Sequence, residues 1–255
     1  MARVLAIANQ KGGVAKTTTV HALGTALARL GDRVLLVDLD PQACLTFSTG
    51  LDPDRIGVSL HDVLVGRNKA ADARHDLGEL SILPASIDLA GTELFLLGRT
   101  GREYALTRAI EPLLDEFDTV LLDCPPSLGV LTVNGLTAAH EVVIPLQCEA
   151  LAHRGVGQLL DTVNDVRTFT NPNLVVRGVI ATMFDSRTRH GREVIEDAQT
   201  RFGLTVLEPP IPKSVRFAEA PGRGVSILDH ASNSRGAQAY REVARTLHAD
   251  PLPHD

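Results

Sequence analysis

The chain has 255 residues, enough for one large α/β domain that buries about three-quarters of its unfolded surface. Hydrophobic residues at 44% and charged residues at 22% describe an ordinary soluble globular protein, and a formal charge of -6 excludes any global attraction to nucleic acid. The cysteines Cys44, Cys124 and Cys148 are widely spaced with no CxxC pair, which argues for reduced thiols in the cytoplasm rather than a disulfide framework or zinc site.

The first apolar run, Val4–Ala8, reads as a buried strand, and a helical pattern follows over Thr18–Leu30. A second strand is expected over Val34–Val37. The Asp-, Arg- and Gly-rich segment Gly50–His75 reads as irregular, a mobile insertion. Next come a weak strand at Leu80–Leu83, a helix over Tyr104–Phe117, a strand at Val120–Leu122 and a helix over Leu128–Ala139. A strand at Val142–Pro145, a helix over Arg154–Thr168, a strand at Val175–Ala181, a helix over Arg192–Phe202 and a weak strand at Thr205–Leu207 complete the alternation. From Pro209 the chain is punctuated by Pro and Gly, then ends in a helix over about Ser234–Leu247. Strands unbroken by polar residues are covered on both faces, so β–α alternation of this kind predicts a doubly wound, mostly parallel sheet flanked by helices in a single domain spanning residues 1–255. No signal peptide opens the sequence, and no apolar run approaches the roughly 20 residues needed to cross a bilayer.

Between the first strand and first helix lies Ala8-Asn9-Gln10-Lys11-Gly12-Gly13-Val14-Ala15-Lys16-Thr17-Thr18-Thr19. A strand, a glycine-containing loop and a helix N-terminus in that order make a phosphate cradle. Loop N–H groups meet phosphate oxygens, Lys16 adds a charge, and the Thr17 hydroxyl can ligate Mg²⁺. The common pattern G-x-x-x-x-G-K-[ST] does not fit, because its glycines fall on Gln10 and Ala15. The pattern that fits is K-G-G-x-x-K-T, with a second lysine, Lys11, that one cradle does not need. Alanine rarely tolerates positive φ, so residue 15 is expected at negative φ.

A nucleotide site also needs acidic groups at strand ends beside the loop. Two runs supply them, Val34–Gln42 with Asp38 and Asp40, and Thr119–Ser127 with Asp123, each closed by proline. Either aspartate alone could be a turn or a helix cap. Asp123 is expected to bond Thr17 or a Mg²⁺-bound water. Asp38 and Asp40 would share a face on a continuing strand, and Asp40, farther out, is the candidate for orienting an attacking water.

These segments resemble the ParA (Soj-type) family of partition ATPases, in the deviant Walker A class with MinD and the nitrogenase iron protein. The carrying motifs are Asn9–Thr19, Val34–Gln42 and Asp118–Gly129, with further matches at Val142–Gly155, Thr182–Val194 and Ile211–Pro221. The resemblance implies the fold of P-loop NTPases and a weak, partner-stimulated ATP hydrolase. Its cofactor would be Mg²⁺, its nucleotide ATP or ADP, and its active form an ATP-sandwich homodimer. In that dimer Lys11 reaches the partner's nucleotide, so Lys11, Lys16 and Asp40 are the catalytic candidates. The loop residues Lys11, Gly12, Gly13, Val14, Ala15, Lys16, Thr17 and Thr18 would hold phosphates, with Thr17, Asp40 and Asp123 at the metal. The resemblance also places base contacts near Met183, Pro210, Ile211 and Pro212. It further implies non-specific binding to double-stranded DNA, a ParB-like partner, a cytoplasmic, nucleoid-associated location, no membrane attachment, and a role in chromosome or plasmid partition.

Candidates for DNA contact lie in the C-terminal half. Arg189 and Arg192 follow Arg187, Arg216 follows Lys213, and Arg223, Arg235, Arg241 and Arg245 come after. Exposed arginines commonly just solvate a surface, so a patch reading the phosphate backbone is the expectation for a subset of them. No N-terminal helix-turn-helix precedes the loop. The nine histidines lack HxxxH or HExxH spacing, Ser127 follows Pro-Pro rather than lying in a nucleophile elbow, and Cys124 and Cys148 are expected to be buried thiols. Rival readings are a MinD-like membrane-cycling division ATPase, a ParA-like positioner of a protein cargo, and a ligase or reductase on the same fold. The first requires a basic amphipathic C-terminal helix, which the tail HADPLPHD does not supply.

Overall fold

The computed structural model describes residues 2–148 and 152–250. In chain order its regular elements are β1 (Arg3–Ile7), α1 (Lys16–Ala28), β2 (Val34–Asp38), α2 (Cys44–Ser48), α3 (Leu60–Leu64), α4 (Ala70–Ala73), β3 (His75–Asp76) and β4 (Leu80–Leu83). There follow α5 (Leu89–Leu97), α6 (Ala105–Ile110), β5 (Thr119–Asp123), α7 (Val130–Ala138), β6 (Glu141–Gln147) and α8 (Ala152–Phe169). The last are β7 (Val175–Thr182), α9 (Arg189–Thr200), α10 (Arg216–Glu219), α11 (Ile227–His230) and α12 (Arg235–Ala249).

The strands form one sheet in the order β3-β4-β2-β5-β1-β6-β7, parallel except for β3. Every residue of β1, β2 and β5 is buried, as unbroken apolar runs require of central strands. Alternation then divides each strand between two cores. Val4, Ala6 and Val37 pack with α7 and α8, whereas Leu5, Ile7 and Leu36 pack with α1 and α12. Both faces are therefore covered, and the strand C-termini gather β1, β2 and β5 around the loop that follows β1.

Three local expectations are corrected. The segment Gly50–His75 is no mobile insertion: it holds α3 and α4, and Leu60, Val63 and Ala73 are buried in the core. Its charged residues hid the apolar spacing that docks it. The expected helix Tyr104–Phe117 contains α6 alone, then tightens into a 3₁₀ segment over Glu111–Glu116, because Pro112 has no N–H for an α-helical bond. Thr205–Leu207 is no full strand. Val206 makes a single parallel bridge to Val179 before Pro209 and Pro210 remove two donors. Gly178 permits that approach, since at φ +147° a Cβ would sit 2.4 Å from the Thr205 carbonyl.

A buried ion pair closes the domain on the side away from the loop. The Arg3 guanidinium meets Glu141 at 2.5 and 2.8 Å and also donates to the Leu247 carbonyl, joining β1, β6 and α12. Arg177 approaches the same carboxylate at 3.6 Å.

Candidate functional site

The loop between β1 and α1 is anchored from outside itself. Asn9 donates from Nδ2 to the Pro145 carbonyl at 2.7 Å and accepts the Lys11 N–H on Oδ1 at 3.0 Å. Thr182 Oγ1 donates to the Val14 carbonyl at 3.1 Å, and Val14 is buried beneath the loop. Val14 thus seats the loop by its side chain and lies outside the cavity wall.

Ala15 corrects the expectation of negative φ. It sits at φ 70°, ψ 32°, the left-handed conformation, as the residue capping α1. The turn into the helix demands that conformation, and alanine adopts it at a cost of about 1 kcal/mol. Gly13 is also left-handed at φ 74°. The Ala15 carbonyl then accepts the Thr19 N–H at 2.9 Å, so the first turn forms around Lys16 and Thr17.

Lys16 is 7% exposed and its Nζ donates to the Lys11 carbonyl at 3.3 Å. Burial lowers its pKa, opposed by the charges of Asp123 and Asp40. Thr17 Oγ1 donates to Asp123 Oδ2 at 2.7 Å, the first of the two arrangements expected for Asp123. The second oxygen, Oδ1, is buried with no hydrogen-bond partner among the described residues. Burial, and then the neighbouring charge of Asp38, pushes the Asp123 carboxyl well above the usual range, while Thr17 and Lys16 pull it down. An orphaned carboxylate oxygen beside a threonine hydroxyl fits a hydrated divalent cation. Among the described residues no three His, Cys, Asp or Glu side chains gather as a metal site. Phosphate oxygens and waters would therefore complete the coordination.

Asp38 and Asp40 do not share a face. Strand β2 ends at Asp38, which is paired in register with Asp123 on β5 and is fully buried. Its Oδ2 accepts the Thr46 N–H at 2.8 Å and the Thr46 hydroxyl at 2.7 Å, while Oδ1 accepts the Asp40 N–H at 3.1 Å. Burial pushes the Asp38 carboxyl up to about 6 against these bonds. Asp40 turns outward, half-buried, and its Oδ1 accepts the Gln42 N–H at 2.9 Å.

Of these groups, Ala15, Lys16, Thr17 and Asp40 border a cavity of about 1070 Å³. Gly12, Gly13, Ala15, Lys16, Thr17, Thr18 and Asp40 wall one side, and Met183, Ile211 and Pro212 another, but Pro210 does not reach it. Met183 is held at φ 51°, with Gln147 Nε2 3.3 Å from its sulfur. Lys11 lies outside this wall, its Nζ donating to Gln147 Oε1 at 3.0 Å at the end of β6. Sequence reasoning gave no role to Asn9, Thr46, Gln147 and Thr182, whose hydrogen bonds hold the site and have no spacing signature. It also missed the apolar extension of the cavity along His21, Phe47 and Phe217.

The arginines are placed on three separate segments. Arg189 pairs with Glu193 at 2.8 Å on α9, where Arg192 reaches the Ser186 carbonyl at 2.9 Å. Arg216 pairs with Glu219 at 3.0 Å, and Arg223 ends the turn that follows. On α12, Arg235 opens the helix, Arg241 donates to the Ser232 carbonyl, and Arg245 pairs with Glu242. Tyr240, Ala244 and Leu247 are buried on the inner face of α12. Cys124 is buried; Cys148 is only half-buried, its thiol pushed up to about 11 by burial. Among the described residues no helix is long and apolar enough to cross a membrane. Residues 149–151, inside the Val142–Gly155 match, and the tail 251–255 lie outside the described residues.

A family model described as an AAA domain matches residues 2–176. The sporulation initiation inhibitor protein Soj of Bacillus subtilis is 43% identical over 98% of this chain and 100% of its own length. The chromosome partitioning protein ParA of Caulobacter vibrioides is 45% identical over 96% of this chain and 93% of its own. The chain belongs to the ParA–Soj family. A solved structure from Mycobacterium smegmatis, named a cobyrinic acid a,c-diamide synthase and holding an ATP analogue and magnesium, superposes with a TM-score of 0.88. It is 55% identical and covers 97% of this chain and 95% of that one. The ParA–Soj fold, a mostly parallel sheet with its nucleotide loop after the first strand, is thus the fold of this chain.

Proposed function

We propose that the protein is a ParA-type ATPase that dimerises on ATP, binds DNA without sequence preference and drives chromosome or plasmid partition. The observation that carries this reading is the Thr17–Asp123 hydrogen bond beside buried Lys16, with Asp40 turned toward the same cavity. Loop N–H groups and Lys16 bind the phosphates of ATP, and ADP remains after hydrolysis. Thr17, Asp123 and Asp40 would hold Mg²⁺ and its waters, and the ion neutralises charge building on the transferred phosphoryl group. Asp40 accepts a hydrogen bond from the attacking water and orients it in line. Met183, Ile211 and Pro212 contact the base.

Lys11 acts on the nucleotide of a second copy. Its position outside the wall of its own cavity supports this reading. A cation that completes a site in trans links ATP binding to dimerisation. The dimer brings two sets of α9, α10 and α12 arginines together, and phosphate contacts from both make DNA binding steeply salt-dependent. A ParB-like partner stimulates the weak hydrolysis and releases the dimer from DNA, so the protein cycles between the cytoplasm and the nucleoid.

The name of the Mycobacterium smegmatis structure favours a second reading, ATP-dependent amidation of a small carboxylic acid. DNA binding measured with ATP, ADP and no nucleotide, for wild type and Lys11→Ala, separates the two. The proposal expects binding by wild type with ATP alone and its loss in Lys11→Ala. Nucleotide-independent or absent binding by the wild type, with turnover that rises on adding an acid and an ammonia donor, supports the amide synthase instead.

A further inference from the structure

One buried network beside the site has no part in holding nucleotide. It begins at Ala85, just past β4, whose N–H lies 2.9 Å from Thr46 Oγ1. It continues from Thr46 Oγ1 to Asp38 Oδ2 at 2.7 Å, and from Asp38 Oδ1 to the Asp40 N–H at 3.1 Å. Asp38, Thr46 and Ala85 are each 0% exposed, so water cannot substitute for a lost bond.

The direction of every bond is fixed. A backbone N–H can only donate, so Ala85 fills an acceptor site of the Thr46 hydroxyl, and that hydroxyl must send its one hydrogen to Asp38. The Thr46 N–H, at 2.8 Å, holds the same carboxylate oxygen from a second side. With Oδ2 gripped twice, Oδ1 is aimed at the amide of Asp40. The peptide that carries the water-orienting carboxylate is thereby tied to β2, α2 and the end of β4. Beyond Ala85 the chain runs through Ile87, a wall of the cavity, into α5.

We infer that Thr46 is a positioning residue for hydrolysis, which fixes Asp40 through Asp38 and relays the placement of the β4–α5 turn to the catalytic loop. The inference rests on the reading of Asp40 as the group that orients water. Thr46 touches neither nucleotide nor water, so its loss should lower turnover without weakening binding. A displacement of even 1 Å in a catalytic group costs about 100-fold in rate, which sets the scale.

The test compares Thr46→Val, Thr46→Ser and Asp38→Asn with wild type. Steady-state hydrolysis of Mg-ATP, binding of a fluorescent non-hydrolysable ATP analogue, and hydrogen exchange at the Asp40 amide are measured for each. In Thr46→Val, kcat should fall about tenfold or more while KM and analogue binding stay within about twofold, and exchange at Asp40 should quicken. Thr46→Ser keeps the hydroxyl and should restore kcat. In Asp38→Asn the amide oxygen satisfies Thr46, leaving its NH₂ facing the Asp40 N–H, so kcat should fall the same way. Should Thr46→Val not fold, Asp38→Asn decides. Unchanged kcat and Asp40 exchange in the folded variants, or a kcat loss matched by lost affinity, overturns the relay. A wild type without Mg-dependent turnover overturns the ATPase reading instead, and exchange at Asp40 still tests the relay.

Discussion

Thr17 Oγ1 lies 2.7 Å from Asp123 Oδ2, so the first turn of α1 is bonded to the end of β5 within the protein itself. The hydroxyl that would ligate a metal and the carboxylate that would hold its waters are already in contact, and little reorganisation separates this arrangement from a loaded site. Thr17→Ala breaks that contact while leaving Lys16 and the loop in place. The expected outcome is a rise of about 10- to 100-fold in the Mg²⁺ needed for half-maximal turnover, read from a magnesium titration. Chelation of the metal should stop wild-type turnover.

Asp40 is half-exposed and bonded to the loop through the Gln42 N–H alone among its side-chain contacts with described residues. Asp40→Ala should therefore leave the fold intact. Turnover should fall by about 100-fold or more with ATP-analogue binding retained. Unchanged turnover would sink the role given to Asp40.

Ala15 at φ 70° makes the reverse kind of prediction, a gain of stability inside a functional loop. Ala15→Gly relieves the left-handed strain but loosens the unfolded chain, for a net stabilisation of up to about 1 kcal/mol. Ala15→Val, with a branched Cβ, should destabilise. Urea unfolding of the nucleotide-free protein distinguishes the two.

Arg3 is bound to a carboxylate that is fully buried. Arg3→Met should cost about 3 kcal/mol in urea unfolding, because the buried Glu141 side chain loses its closest partner. Arg3→Met with Glu141→Leu should recover much of that loss. Equal destabilisation by the single and double variants would contradict the account.

His21, beneath the cavity and 3.2 Å from Ser48 Oγ, has its pKa pushed down to about 4 by burial. Above the unfolded value of about 6.5 both states are neutral and the group has no effect. Below it the unfolded chain takes up a proton that the folded chain refuses, so stability falls as pH drops toward 4. The loss at pH 5 should be about 2 kcal/mol relative to pH 7. Asp38, raised to about 6, works the other way over part of the same range, since its folded form keeps a proton that the unfolded chain has released. The difference between wild type and His21→Gln isolates the histidine. A wild-type slope identical to that of the variant would rule this assignment out.

The parallel sheet was legible because its strands are unbroken apolar runs, each followed by a helical pattern. The nucleotide loop and the three aspartates were legible because their spacing carries chemistry. What was not legible depended on the third dimension. Ala15 adopts a conformation that its own residue type disfavours, since the loop around it overrides local preference. Asp38 and Asp40 alternate like strand residues in sequence, yet the strand stops between them. Thr46 and Ala85 meet across 39 residues through one hydrogen bond, a contact with no trace in pattern or composition.

The bond from Arg3 to the Leu247 carbonyl spans 244 residues, and α12 packs along α1 with Tyr240 bonded to Thr19 at 2.9 Å. The helix that begins at Lys16 is thus completed by a segment that leaves the ribosome more than 200 residues after it. During synthesis the strands and phosphate loop are made early, but the outer side of that helix stays bare until residue 247 emerges. Nucleotide competence in this sense waits on α12, and a nascent chain arrested before α12 would carry every residue of the phosphate loop without the wall that steadies it.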